Sequence, residues 1–140
     1  MILADETLRE LLPIIVGGIC TRFVVQEYWY AGVQCESVAV LFLQLDHGLW
    51  HRFFIDAGVP FWSTVTEPDT WNTTPDDEYH YPQREVTAEL GLLGLSVQNL
   101  EFADGSPICN LRLSFSGSIT LILCNENDHS TLIIETDTEW

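Results

Sequence analysis

Ile108-Cys109-Asn110-Leu111-Arg112-Leu113-Ser114-Phe115, then Ser116-Gly117, then Ser118-Ile119-Thr120-Leu121-Ile122-Leu123-Cys124 is the stretch that decides how this chain folds. Two apolar-rich runs of strand length flank a Ser-Gly turn, the signature of an antiparallel hairpin. With Ser116 and Gly117 as a two-residue loop, Phe115 faces Ser118. Cys109, Leu111, Leu113 and Phe115 then share a core face with Cys124, Ile122, Thr120 and Ser118. The other face receives Asn110, Arg112 and Ser114 with Leu123, Leu121 and Ile119, and needs cover from other strands, the helix or a second copy of the chain. In this register Cys109 lies across from Cys124, at the roughly 5.5 Å Cα spacing of a hydrogen-bonded pair. A disulfide could span that distance, but paired core thiols are expected in a reducing compartment.

The same pattern recurs on both sides of this hairpin. Asn125 to Ser130 reads as a turn and Thr131 to Thr136 as a last strand. Leu95 to Phe102 is a strand that ends at the turn Ala103-Asp104-Gly105-Ser106-Pro107. Glu36 to Leu45 and Leu49 to Ile55 flank Asp46-His47-Gly48 as a second hairpin, apolar on both faces, with Gly48 free to take a positive φ. Asp56-Ala57-Gly58 is a turn, Pro60 to Thr66 a short edge strand, and Arg84 to Leu90 a further strand. Ile14-Ile15-Val16, Gly17-Gly18 and Ile19 to Glu27 read as one strand with a glycine kink, followed by an aromatic turn region from Tyr28 to Val33. Helical spacing occurs at Asp5 to Leu12, where Leu8, Leu11 and Leu12 form a stripe, Asp5 is the N-cap and Pro13 the stop. The chain is therefore expected to be a single domain over residues 1–140 of α+β class. A short N-terminal helix packs on a curved, mainly antiparallel sheet or partial barrel of seven to eight strands.

Charge bounds the partners. Twenty-one Asp and Glu face five Arg and no Lys, which leaves a net charge of −16. Self-repulsion on that scale works against a compact state, so its retention points to a positively charged partner or to a solvent that screens it. Nucleic acid and anionic membrane surfaces are excluded as direct partners, because both are bound through Lys and Arg. At 46% hydrophobic residues the chain has ample material for a core. Met1-Ile2-Leu3 runs into Asp5 and Glu6 without the basic and apolar segments of a secretion signal, and no window has the apolar length of a membrane span. A cytoplasmic location is expected, with reduced cysteines.

Catalytic and metal motifs find little support. There is no Cys-x-x-Cys and no Gly-x-Ser-x-Gly. His47 and His51 straddle a turn, so the helical spacing that brings two imidazoles to one metal does not apply. Strand alternation puts His51 on the face opposite Arg52 and Asp56, which breaks up a triad. Asp76-Asp77-Glu78 and Asn125-Glu126-Asn127-Asp128 lack the alternating ligands of a calcium loop. No cofactor, no metal and no enzymatic activity are expected.

Glu67 to Gln83 is long for an inert loop and holds three of the six prolines and five acids. Trp71, Tyr79 and Tyr81 are interleaved here with Glu67, Asp69, Asp76, Asp77 and Glu78. Aromatic rings supply contact area at low ordering cost, and carboxylates supply steering and arginine or lysine pairing. Trp140 repeats the combination behind Asp137 and Glu139, and Tyr28-Trp29-Tyr30 offers further aromatics. Glu67, Asp69, Trp71, Asp76, Asp77, Glu78, Tyr79, Tyr81 and Trp140 are the expected partner-binding set.

A small, acidic, β-rich chain of this kind resembles the immunity proteins that protect bacteria from their own polymorphic or contact-delivered toxins, notably in the Leu95 to Glu135 run of strands. The resemblance implies binding and neutralisation of a basic toxin domain, such as a nuclease whose phosphate-holding groove is positive. The alternatives are a ligand-binding β-barrel-like domain, a nucleic-acid mimic that inhibits a restriction or CRISPR effector, and a homodimer formed through the apolar sheet face around Ile119 and Leu121. Halophilic adaptation would account for the charge alone.

Overall fold

The computed structural model describes residues 1–68, 78–103 and 108–136. One helix, α1 (Asp5–Ile15), precedes ten strands: β1 (Cys20–Tyr30), β2 (Val33–Leu45), β3 (Trp50–Asp56), β4 (Val59–Val65), β5 (Tyr79–His80), β6 (Gln83–Glu85), β7 (Val97–Ala103), β8 (Ile108–Phe115), β9 (Ile119–Glu126) and β10 (His129–Thr136). The class is α+β, and the strands form two antiparallel sheets. The first has the order β4-β3-β2-β1-β5, with β6 also on β1, and the second has the order β10-β9-β8-β7. They stack with β10 over β2, β9 over β3 and β8 over β4, while α1 lies against β7.

The β8–β9 hairpin has a three-residue loop, and this corrects the expected register. Phe115 pairs with Ile119 and Cys109 with Asn125, because Gly117 and Ser118 both adopt positive φ (79° and 63°). The longer loop shifts β9 by one residue and so turns every one of its side chains to the other face. Cys109, Leu111, Leu113, Phe115, Leu121 and Leu123 now all join one core, with Ile119 packed against it. Ile119, Leu121 and Leu123, for which other strands, the helix or a second copy were the possible covers, are thus turned inward onto the first sheet. Cys124 pairs with Asn110, so Cys109 and Cys124 project from opposite faces of their sheet.

Opposite this sheet, Phe23, Val25, Leu41, Leu43, Leu45, Phe53 and Ile55 complete the core, together with Leu11 and Ile15 of the helix. The β2–β3 hairpin is apolar on both faces, as its sequence indicates. Val24, Phe42 and Trp50 form a second buried cluster on the outer side, with Val40 and Val65 against it.

Several boundaries differ from those expected. The helix runs through Pro13 to Ile15, and its N-cap is Ala4, without a side-chain bond, so that Asp5 is the first helical residue. Proline removes one backbone donor near the end of the helix. The stripe that begins at Leu8 and Leu11 continues to Ile15, which is fully buried, and that packing holds the last turn. The predicted strand at Ile14 to Val16 is therefore mostly helix. At Gly18 the chain turns into the sheet so tightly that a Cβ would stand 2.7 Å from Leu45 Cδ1. Beyond Gln83–Glu85, the expected strand to Leu90 gives way to turns; Thr87 Oγ1 there accepts the Phe23 N–H at 2.7 Å.

Three hairpins close on two-residue loops in which both residues have positive φ: Ala31-Gly32, Ala57-Gly58 and Asn127-Asp128. Their twist matches that of the flanking strands, but alanine gains nothing there to offset the left-handed backbone, whereas asparagine adopts it readily. Ala57 also donates its N–H to Asp128 Oδ1 at 3.1 Å, which ties two of these turns together. Ala57→Asn should raise stability by roughly 0.5–1 kcal/mol. A higher urea midpoint at unchanged slope is the expected readout.

Candidate functional site: a tyrosine face

The chain has four tyrosines, and all of them meet at one end of the first sheet. Two register shifts between β1 and β2, after Gln26 and after Tyr28, set extra β2 residues opposite β1. Bulges of this kind increase twist, and the ribbon that ends at Ala31-Gly32 carries Tyr28 and Tyr30 on one face. β5 adds along β1 with Tyr79 opposite Tyr30 and His80 opposite Trp29. Alternation then brings Tyr79 beside Tyr30, at 4.9 Å between ring centroids. Tyr81 stacks on Tyr28 at 5.2 Å, and Tyr28 lies parallel to Tyr79 at 6.5 Å.

Glu78 closes one side of this face. The Tyr30 hydroxyl donates to Glu78 Oε1 at 3.0 Å. That bond, with the nearby carboxylate charge, raises the Tyr30 phenol above its ordinary pKa, so the ring is neutral and its hydroxyl is oriented. The Tyr28 phenol is raised as well, first by desolvation and then by Cys35 and the neighbouring phenols.

The back of the ribbon is rigid. Trp29 stacks on His80 at 5.5 Å and donates its indole N–H to Glu27 Oε1 at 2.8 Å. Gln34 donates to the same oxygen at 2.8 Å, and Arg84 Nε lies 3.4 Å from Glu27 Oε2. A largely buried carboxylate with three donors fixes both strands and hence the tyrosines in front of them.

Of the expected binding set, Glu78, Tyr79 and Tyr81 come together here. Glu67 does not join their contacts; with Thr66 and Pro68 it lines a pocket over Val24 and Trp50. Asp69, Trp71, Asp76, Asp77 and Trp140 lie outside the described residues. Tyr28 and Tyr30 belong to the face; they were noted as further aromatics of a turn region but lay outside the expected binding set. The signal was present as two copies of Tyr-x-Tyr, at Tyr28-Trp29-Tyr30 and Tyr79-His80-Tyr81, each of which puts both rings on one side of a strand.

A second cluster joins two histidines at the β2–β3 turn. His51 is fully buried, and its Nε2 stands 3.4 Å from His47 Nε2. The Trp62 indole N–H donates to His51 Nδ1 at 3.1 Å, and the Leu49 amide donates to His47 Nδ1 at 3.2 Å. The Nε2–Nε2 contact requires one ring to donate and the other to accept, with the direction set by the tautomers. A proton on His51 Nδ1 would confront the Trp62 indole donor. Among the described residues, no cluster of three His, Cys, Asp or Glu could hold a metal.

Burial, and then the neighbouring His47, push the His51 pKa down from 6.5 to about 4. Below pH 6.5 the unfolded chain takes up a proton that the folded chain refuses, so folding loses stability as pH falls from 6.5 towards 4, by about 3 kcal/mol in total. His51→Gln, which keeps an acceptor for Trp62, should remove most of that acid sensitivity when urea unfolding is compared at the two ends of this window. An unchanged pH slope would assign the loss to other groups.

Compared with known proteins, the chain matches no family model, no curated protein and no solved structure.

Proposed function

We propose that the tyrosine face is a recognition surface for a basic protein and that this chain neutralises its partner by stoichiometric binding, as an immunity protein does its toxin. The convergence of all four tyrosines of the chain on one braced ribbon carries the reading. Tyrosine offers a large amphipathic ring with two side-chain torsions to freeze, which is why it dominates adaptable recognition surfaces. Neutral phenol rings also accept arginine and lysine over their faces. Glu78 at the edge and the charge of −16 on the whole chain make a cationic partner the one favoured by the field.

The acids themselves are not confined to this face. Exposed carboxylates occur on the helix (Asp5, Glu6, Glu10), at turns (Asp46, Asp56, Asp128) and along the second sheet (Glu101, Glu135). Charge therefore draws the partner in from a distance, and the rings determine where it docks. A toxin nuclease, whose substrate groove is basic, is the partner class that suits both. Inhibition would follow from covering that groove, and no reaction is required of this chain.

Two measurements test the reading. Immobilised chain challenged with basic toxin domains should capture its partner at low salt and release it as salt rises. Tyr30→Ala combined with Tyr79→Ala should weaken that complex by at least about thirtyfold, the scale of a hot-spot pair, with the melting transition retained. Full affinity in the double variant would move the interface elsewhere, and failure to capture any basic domain would remove the inhibitor reading.

A further inference from the structure

Sheet edges are the part of a β protein that most needs cover, and natural chains blunt them with charges, prolines, bulges or overlying segments. β4 is covered: Leu3 donates its N–H to the Pro60 carbonyl at 2.8 Å, and Trp62 donates to the Met1 carbonyl at 2.9 Å. At β7, Val97 accepts from Gly17 at 2.8 Å and donates to Gly18 at 2.9 Å. β10 is different. It pairs with β9 over all eight of its residues without a register shift, and Glu135 is its only carboxylate. Ile133 and Ile134 are exposed.

The pairing phase shows which groups on β10 are open. Glu126 and His129 close a two-residue loop and so form a hydrogen-bonded pair. His129, Thr131, Ile133 and Glu135 therefore direct their backbone groups towards β9, whereas Ser130, Leu132 and Ile134 direct theirs outward. Ser130 agrees with this phase, since its outward N–H donates to Glu36 Oε2 of β2 at 2.8 Å. Leu132 and Ile134 have no strand beyond them among the described residues.

Their side chains border a groove of about 470 Å³. The buried Val25, Val38 and Val86 underlie it, and Arg84, Glu89 and Leu90 line it as well. The stacking of the sheets explains its position. β10 lies over β2, but the first sheet continues past β2 through β1 to β6. Among the described residues, that overhang of two strand spacings, about 10 Å, has no strand of the second sheet above it.

We infer that this groove binds a single extended segment of a partner protein, which adds as a fifth strand on β10 and turns alternate aliphatic side chains towards Leu90, Leu132 and Ile134, above the buried Val25, Val38 and Val86. A second copy of this chain fits less well. Paired with both first sheets on the same side, two β10 edges would bring the projecting β1 and β6 of the two molecules into the same space. The width suits one strand, the aliphatic lining demands apolar residues at every second position, and the acidic surface favours Lys or Arg at the positions between or beside them. The inference does not rest on the tyrosine-face reading, because it concerns the free edge of β10; Arg84, which also braces Glu27, is the residue common to both surroundings.

The probe is the blocked peptide Lys-Val-Thr-Val-Thr-Val-Lys, followed by amide exchange and chemical-shift titration of the intact chain. Binding should slow exchange at Leu132 and Ile134 and shift Val25, Val38 and Val86, with the tyrosine ring signals unmoved. Ile134→Pro deletes an outward donor and leaves the β9 ladder intact, and should weaken binding about tenfold. If that variant melts early, the exchange data on the unmodified chain decide. Three results would overturn the inference: no protection at Leu132 and Ile134 at millimolar peptide, unchanged affinity in a folded Ile134→Pro variant, or a concentration-dependent dimer that protects those amides without peptide.

Discussion

One parity holds this structure together. Because side chains alternate along a strand, a single residue in the turn at Ser116 to Ser118 decides whether Leu121 and Leu123 meet Leu111 and Leu113 or are turned away from them. With the three-residue loop they meet, and the second sheet acquires one apolar face and one polar face. That face covers the inner side of β2 and β3, whose Leu41, Leu43, Phe53 and Ile55 have nowhere else to be buried. On the outer face of β8, Arg112 stands between Glu101, at 3.8 Å, and Glu135, at 3.4 Å. At side-chain exposures of 40% and above these pairs add little stability, but they suit a solvated surface. Burial of apolar area between two sheets sustains the compact state against the repulsion of sixteen uncompensated charges.

The sequence was most legible where local chemistry is strong. Turns at Gly48, Ala57-Gly58 and Ser116-Gly117, the β8 boundaries and the doubly apolar β2–β3 hairpin all follow from residue type and alternation. What it concealed were quantities set by tertiary context. Ser118 carries no marker for a positive φ, so the loop length and every pairing beyond it were displaced by one. Pro13 is a valid stop signal, yet Ile15 is buried deeply enough to carry the helix past it. Val86 and Leu90 read as strand residues but are core contacts of a turn. The tyrosine face was half legible: Tyr79 and Tyr81 stood out among acids, while Tyr28 and Tyr30 were kept out of the binding set by being assigned to a turn that begins only at Ala31.

Charge and contact surface separate in this molecule. A composition so acidic invites the expectation of one acidic patch, yet the carboxylates lie on the helix, at the turns and on both sheets. The few arginines are spent locally: Arg22 on Glu85 at 2.8 Å, Arg84 on Glu27, and Arg52 over the Phe54 ring at 4.7 Å. No compensating basic zone is left to give the field a direction. A field of nearly uniform sign accelerates encounter with any cation but cannot specify orientation. Orientation must then come from shape and rings, and the four tyrosines are the group of exposed or half-exposed aromatics braced from behind by a buried carboxylate network.

The two candidate surfaces also differ in how much they would change on binding. The tyrosine face is set by bulges, a type I′ turn and the Trp29–Glu27–Gln34 bonds, so its geometry exists before any partner arrives and little ordering cost remains. The β10 groove offers unpaired backbone groups and an aliphatic lining, and an incoming segment would have to become a strand to use them. Coupled ordering of that kind lowers affinity per unit area but permits a wide range of side chains, since the backbone ladder is common to all of them. A preformed face suited to one partner and an edge tolerant of many sequences are different tools. Both lie on the β1 side of the first sheet, where Arg84 lines the groove and also braces Glu27 behind the tyrosines.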